Sequence, residues 1–98
     1  MTLSTKQKAY LRGLGQKLRP QLHVGHGGFS PGQIQALEDL FRGRELVKGK
    51  LLQSSEDDPK EIATRLSGET GSEVVGVVGK TFVLYRPNPD LKERIELP

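Results

Sequence analysis

Apolar residues recur at intervals of three and four in three stretches of the chain, which is the spacing of one face of an α-helix. The stretches predict helices over about residues 4 to 15, over about 31 to 42, and from Asp58 to a stop at Gly71. We expect Gly43 to close the second helix in a left-handed conformation. Each stretch begins at a residue type that caps helix N-termini, namely Ser4, Ser30 and Asp58. The two serines are each followed three residues later by a glutamine, which is the pattern of a capping box.

Four short stretches are instead rich in β-branched and apolar residues and are bounded by glycine, proline or polar residues, which is typical of strands. They cover residues 21–24, 45–52, 73–78 and 81–86. In the second stretch, alternation places Lys48 and Lys50 together on one face of the strand. The last two stretches are separated only by Gly79 and Lys80, which predicts a hairpin.

The resulting order, α-β-α-β-α-β-β, predicts an α/β fold with helices packed on a four-stranded mixed sheet. A chain of 98 residues is long enough for one compact domain with a modest core. We expect that core to lie within about residues 3–87, followed by a polar tail over 88–98. Phe41, Phe82 and Tyr85 are expected to pack in the core, so a broad aromatic surface for base stacking is not expected.

Composition excludes several classes of protein. The chain has no cysteine, which excludes disulfides, thiol catalysis and cysteine-ligated zinc. Its two histidines have no companion acids at metal-ligand spacing, and the acids at 56–58 are typical of a solvated turn. We therefore expect no enzyme activity, no metal and no cofactor. No apolar run approaches the roughly 20 residues of a membrane helix, and residues 1–6 lack the apolar core of a signal peptide, so we expect a soluble, cytoplasmic protein. We also expect it to be a monomer.

Charge is distributed unevenly along the chain. Residues 1–50 hold nine Lys or Arg against three acids, whereas residues 51–98 hold six against nine, for a net charge of +3. A basic half of this kind favours contact with nucleic acid, while a solvated surface with unequal charge remains the simpler alternative.

A glycine-rich segment lies between the first predicted strand and the second predicted helix. Gly25-His26-Gly27-Gly28 matches the GxxG pattern of loops that clamp a nucleic-acid backbone. Glycines let backbone N–H groups converge on a phosphate, and the helix that follows adds further N–H groups. The alternative is an ordinary tight turn. His26 titrates near pH 6.5 if unperturbed, so RNA affinity is expected to rise modestly at lower pH unless His26 is only a tolerated polar residue.

Over nearly its full length the chain resembles the YhbY family of small bacterial proteins, whose fold is the CRM (chloroplast RNA splicing and ribosome maturation) domain. The resemblance rests on LSTKQK at 3–8, VGHGGFS at 24–30, RELVKGK at 44–50 and VGKTFVLYRP at 78–87. It implies an RNA-binding α/β domain similar in topology to the C-terminal domain of bacterial translation initiation factor three, with a KH-like GxxG loop. It also implies association with ribosomal RNA or precursors of the large ribosomal subunit.

We therefore expect an RNA-binding protein, with large-subunit ribosomal RNA or its precursor as partner and ribosomal proteins as further candidates. A protein-interaction adaptor on ribosomal particles and a single-stranded DNA-binding domain remain the alternatives. The expected RNA contacts are Gly25, His26, Gly27, Gly28, Lys8, Arg12, Lys48, Lys50, Lys80 and Arg86.

Overall fold

The computed structural model describes residues 2–25, 29–53 and 55–98. Its elements are α1 (Thr5–Gln16), β1 (Leu22–Val24), α2 (Pro31–Phe41), β2 (Leu46–Leu51), α3 (Pro59–Thr70), β3 (Glu73–Val78) and β4 (Thr81–Tyr85). The predicted element order is confirmed, and every boundary lies within a residue or two of its predicted position. Among the described residues, none of the helices is both long enough and apolar enough to cross a membrane.

The three predicted caps begin the three helices. Ser4 and Gln7 form the complete capping box at α1, with the two reciprocal hydrogen bonds at 3.0 and 3.1 Å. At α2, Ser30 accepts from the Gln33 backbone N–H at 3.3 Å, but the Gln33 side-chain amide donates to the His23 carbonyl instead of returning to Ser30. The expected second capping box is therefore half formed, and the Gln33 side chain instead connects the first turn of α2 to β1.

The ends of α2 and α3 differ from each other. Gly71 closes α3 in the left-handed conformation, with φ at 69°. The prediction for Gly43 is wrong, because α2 ends at Phe41 and Arg42 keeps right-handed dihedrals. The last turn of α2 tightens instead, with N–H groups donating to carbonyls three residues back, and this satisfies the end of the helix without a left-handed residue.

The four strands form one mixed sheet in the order β1-β2-β4-β3. β1 runs parallel to β2, whereas β4 is antiparallel to both of its neighbours. The β3–β4 turn is the predicted two-residue hairpin, and Gly79 occupies its first central position with φ at 57°, as type II′ turns require. α1 packs on one face of the sheet, and α2 and α3 pack on the other.

The sheet thus separates two apolar cores. The larger core lies beneath α2 and α3 and is built around Phe41 and Phe82, both fully buried. The smaller core lies beneath α1 and includes Tyr85, which is buried as predicted. α1 approaches the sheet closely at Gly15, where an added Cβ would come within 2.7 Å of the Val83 side chain.

Residues 88–98, expected as a polar tail, fold back onto the α1 face of the sheet. Ile95 and Leu97 pack against the smaller core. The buried Glu45 carboxylate accepts the backbone N–H groups of Asn88 and Ile95, both at 2.7 Å, and the Nε of Arg94 at 3.2 Å. A carboxylate just ahead of β2 therefore holds a segment more than forty residues away.

Candidate nucleic-acid interface

The C-terminal ends of β1 and β2 and the β3–β4 turn all lie at one edge of the sheet. The Leu52 N–H donates to the Val24 carbonyl and the Leu51 N–H donates to the Lys80 carbonyl, both at 2.8 Å. These bonds hold the three segments side by side. We call this the loop edge, because the glycine-rich segment begins here.

Gly25, the first residue of the predicted GxxG loop, follows directly after β1 at the loop edge. His26, Gly27 and Gly28, the other three residues of that prediction, lie outside the described residues. On the far side of the segment, Ser30 caps α2. The start of the GxxG motif is therefore beside the end of β2, as the parallel pairing of β1 and β2 requires, and Lys80 lies on the other side of that strand end.

A row of side chains crosses the sheet next to the loop edge on the face that carries α1. The strand registers pair His23 with Lys50, Lys50 with Thr81, and Thr81 with Val78. His23, Lys50 and Val78 are exposed, and 63% of the Val78 surface is accessible. α1 covers the neighbouring rows but leaves this one open, so the row forms a floor that a ligand can reach.

The side of α1 that faces this floor is also basic. The alkyl part of Arg12 lies directly on Gly76, where an added Cβ would come within 2.5 Å of Arg12 Cγ. Its guanidinium reaches the Val75 carbonyl at 3.4 Å and remains exposed. Between this wall and the floor lies a cleft of about 110 Å³ that is also lined by Gln16, Lys48 and Thr81.

Lys48 lies deeper than Lys50 although the two point to the same face. Its Nζ donates to the Leu18 carbonyl at 3.3 Å, beyond the C-terminal end of α1, and its side chain is partly buried. The cation therefore offsets the partial negative charge of that helix end and keeps part of its donor capacity at the cleft.

Three of the predicted cations, Arg12, Lys48 and Lys50, thus lie on one face of the sheet. We call this surface, together with the exposed Lys80 in the turn at its border, the basic ledge. Its lining contains no acidic side chain among the described residues. The exposed His23 joins it, a residue that the sequence analysis did not place in the site. The register could have indicated it, because His23 and Lys50 alternate in phase on adjacent strands.

Two other predicted contacts lie elsewhere. Lys8, on the first turns of α1, pairs with Glu73 at 3.4 Å. Arg86 lies at the opposite edge of the sheet, where its NH1 donates to the two Glu38 carboxylate oxygens at 2.9 and 3.0 Å and to the Thr70 carbonyl at 2.9 Å. Its guanidinium also lies 4.7 Å from the centre of the Phe41 ring. The structure thus uses both cations in internal contacts.

No group of three or more potential metal ligands occurs within residues 2–25, 29–53 and 55–98. The donors that converge on the basic ledge are ammonium, guanidinium and amide groups, which bind anions. This arrangement suits a phosphate backbone.

Comparison with known proteins agrees with this chemistry. The model of the CRS1 / YhbY (CRM) domain matches residues 3–86. The "Probable RNA-binding protein YqeI" of Bacillus subtilis is 36% identical over 96 residues, covering 98% of this chain and 99% of its own. The "RNA-binding protein" of Haemophilus influenzae is 35% identical over 97 residues, covering 99% and 96%. The solution structure of the hypothetical protein SAV1595 from Staphylococcus aureus superposes with a TM-score of 0.83 at 41% identity, covering 99% of this chain and all of that one.

Proposed function

The chain belongs to the CRS1 / YhbY (CRM) domain family, and we propose that it is a non-catalytic protein that binds RNA across the loop edge and the basic ledge. Relatives of nearly the same length are named as RNA-binding proteins, which supports RNA as the ligand. The observation that carries the proposal is that Arg12, Lys48 and Lys50 lie on one open face of the sheet, and that this face ends at the loop edge, where Lys80 and Gly25 are found.

The proposed mode of recognition is contact with the sugar-phosphate backbone. Lysine and arginine side chains on the ledge neutralise phosphates, and the predicted GxxG segment, Gly25 to Gly28, offers backbone N–H groups to the same chain. Contacts of this kind position the RNA but read little sequence. We therefore propose that the protein recognises mainly the shape and the 2′-hydroxyls of its RNA.

The family resemblance supports a more specific proposal. The RNA is ribosomal, from the large subunit or its precursor, and the protein acts during assembly of that subunit. Arg86 and Lys8 are left out of the proposed contact surface, because each already has an acidic partner within the fold.

The test is ultraviolet crosslinking in the native cell, followed by sequencing of the RNA recovered with the parent protein and with Gly27→Asp. The matched control is Gly43→Asp, which adds the same side chain at the opposite edge, where an added Cβ meets nothing within 4 Å. We expect recovery of large-subunit ribosomal RNA or its precursor with the parent and the control, and its loss with Gly27→Asp.

Three results would contradict parts of this proposal. Unchanged crosslinking of a folded Gly27→Asp protein would remove the glycine segment from the mechanism. Recovery of RNA unrelated to the large subunit would remove the ribosomal part. Sedimentation with ribosomes without any RNA crosslink would favour the adaptor alternative, in which the protein docks on a ribosomal protein.

A further inference from the structure

A second cationic feature lies beside the glycine segment, on the opposite side of the sheet from the basic ledge. The guanidinium of Arg65, on α3, lies over the ring of Phe29 with 4.1 Å between its central carbon and the ring centre. Phe29 directly precedes the N-cap of α2 and is half-buried, because it packs against the larger core. The ring is therefore held by the fold, and it holds the guanidinium in turn.

The other side of this pair is open. Arg65 is exposed, and its guanidinium makes no hydrogen bond and no ion pair within the described parts of the chain. The acids one turn away on α3, Glu61 and Glu69, are in none of the ion pairs between described residues. Arg65 thus differs from Arg86. The Arg86 guanidinium also lies over a phenylalanine, but it donates hydrogen bonds to Glu38 and Thr70.

We propose that Arg65, supported by Phe29, is a stacking site for an unpaired RNA base. A guanidinium held flat on an aromatic ring presents its outer face as a planar cationic surface, which is a surface on which bases stack. Because Phe29 fixes the orientation in advance, less side-chain freedom is lost on binding than for an isolated exposed arginine. The inference rests on the proposed function and adds that the RNA is partly single-stranded where it passes the loop edge.

The experiment measures binding to two RNAs of equal length, a continuous duplex and a hairpin whose adenosine-rich loop has about ten nucleotides. The variants are Arg65→Gln, which replaces the charged guanidinium with a smaller neutral amide, Arg65→Lys, which keeps the charge but not the plane, and Phe29→Leu, which removes the supporting ring. Arg42→Gln is the control, because Arg42 is an exposed arginine at the far end of α2 and, within the part of the chain that the structure describes, its one ion pair is with Asp39 of α2. Thermal unfolding verifies that each variant is folded.

We expect Arg65→Gln and Arg65→Lys to weaken binding of the hairpin by at least about fivefold while changing duplex affinity little. Phe29→Leu should weaken hairpin binding in the same direction, and Arg42→Gln should leave both affinities unchanged. Retention of hairpin affinity in Arg65→Lys would overturn the stacking site and leave a simple phosphate contact. If all three variants keep the parent's affinity for both RNAs and only their melting temperature is lowered, the contact between Arg65 and Phe29 is purely structural.

Failure of this inference is distinguishable from failure of the proposed function. If the parent protein binds RNA and Lys50→Gln weakens that binding while the Arg65 variants do not, only the stacking site is wrong. If the parent binds neither RNA, both proposals are wrong.

Discussion

Replacing Lys50 with glutamine is the most direct test of the basic ledge. Lys50 is exposed in the middle of the open row, between His23 and Thr81, and it takes part in no ion pair within the described residues. Removing its charge should therefore leave the fold intact, within about 0.5 kcal/mol of the parent's free energy of unfolding. Any effect on RNA binding then reports on the ledge itself.

The size of the effect follows from counterion release. Each neutralised phosphate contributes about 0.7 to 0.9 to the slope of log affinity against log salt. If the four ledge cations each neutralise one phosphate, the slope of the parent is about −3, so affinity falls roughly 50- to 150-fold between about 50 and 200 mM salt. Lys50→Gln should make this slope less steep by slightly less than one. The loss of affinity over the same salt range should then be about threefold smaller than for the parent.

Fluorescence anisotropy with a labelled RNA over a salt series measures both slopes. Lys92→Gln is the matched control, because Lys92 is an exposed lysine in the C-terminal tail, away from the ledge. We expect its slope to equal that of the parent. A slope unchanged in folded Lys50→Gln, or lowered equally in Lys92→Gln, would refute the ledge as the contact surface and attribute binding to diffuse net charge.

Three further predictions separate structural groups from the proposed interface. Arg86→Gln breaks the partly exposed contacts with Glu38 and should lower the free energy of unfolding by about 1 to 3 kcal/mol, measured in urea, without changing the salt slope of RNA binding. An altered slope would return Arg86 to the interface. Glu45→Ala leaves two backbone N–H groups of the tail without their acceptor and should cost about 2 to 5 kcal/mol, with faster hydrogen exchange at those two amides; unchanged exchange would mean that the carboxylate does not hold the tail. Burial, and secondarily the Glu45 carboxylate, raise the pKa of Tyr85 above its ordinary value of about 10. Because the folded-state pKa exceeds the unfolded one, this group's contribution to stability is complete below about pH 10 and is lost as the pH rises through the folded value. Tyr85→Phe should therefore lose less stability than the parent between about pH 9 and pH 11 in urea denaturation, and equal losses would contradict the assignment.

The fold could be predicted because its signals are local. Each of the three N-caps directly precedes its helix, and the two-residue turn directly joins its two strands. The alternation of side chains between the two faces can likewise be recognised within a single strand. The same alternation placed Lys48 and Lys50 on one face correctly. It could not indicate that the end of α1 covers Lys48 and leaves Lys50 open, because coverage depends on how a separate helix crosses the sheet.

The parts that could not be predicted depend on partners far away in the sequence. In the sequence, Arg86 has no visible partner and is predicted to contact RNA. In the fold, α2 places Glu38 and α3 places Thr70 within hydrogen-bond distance of its guanidinium. Residues 88–98 have the composition of a solvated tail, and the buried acceptor that holds them, Glu45, lies more than forty residues earlier. A charge in a sequence therefore indicates a candidate contact, and only the packing decides whether that charge is already paired.

Glycines without a left-handed conformation also shape the proposed interface. At Gly15 the absence of a side chain lets α1 approach β4, and at Gly76 it lets the stem of Arg12 lie flat on β3. If either position carried a side chain, α1 or Arg12 would have to move away from the sheet, and the wall of the cleft would move away from the floor that carries Lys50. The position of the Arg12 charge is thus set by a residue that offers no contact of its own to RNA. The ledge therefore depends on how closely α1 packs on the sheet as well as on the cations themselves.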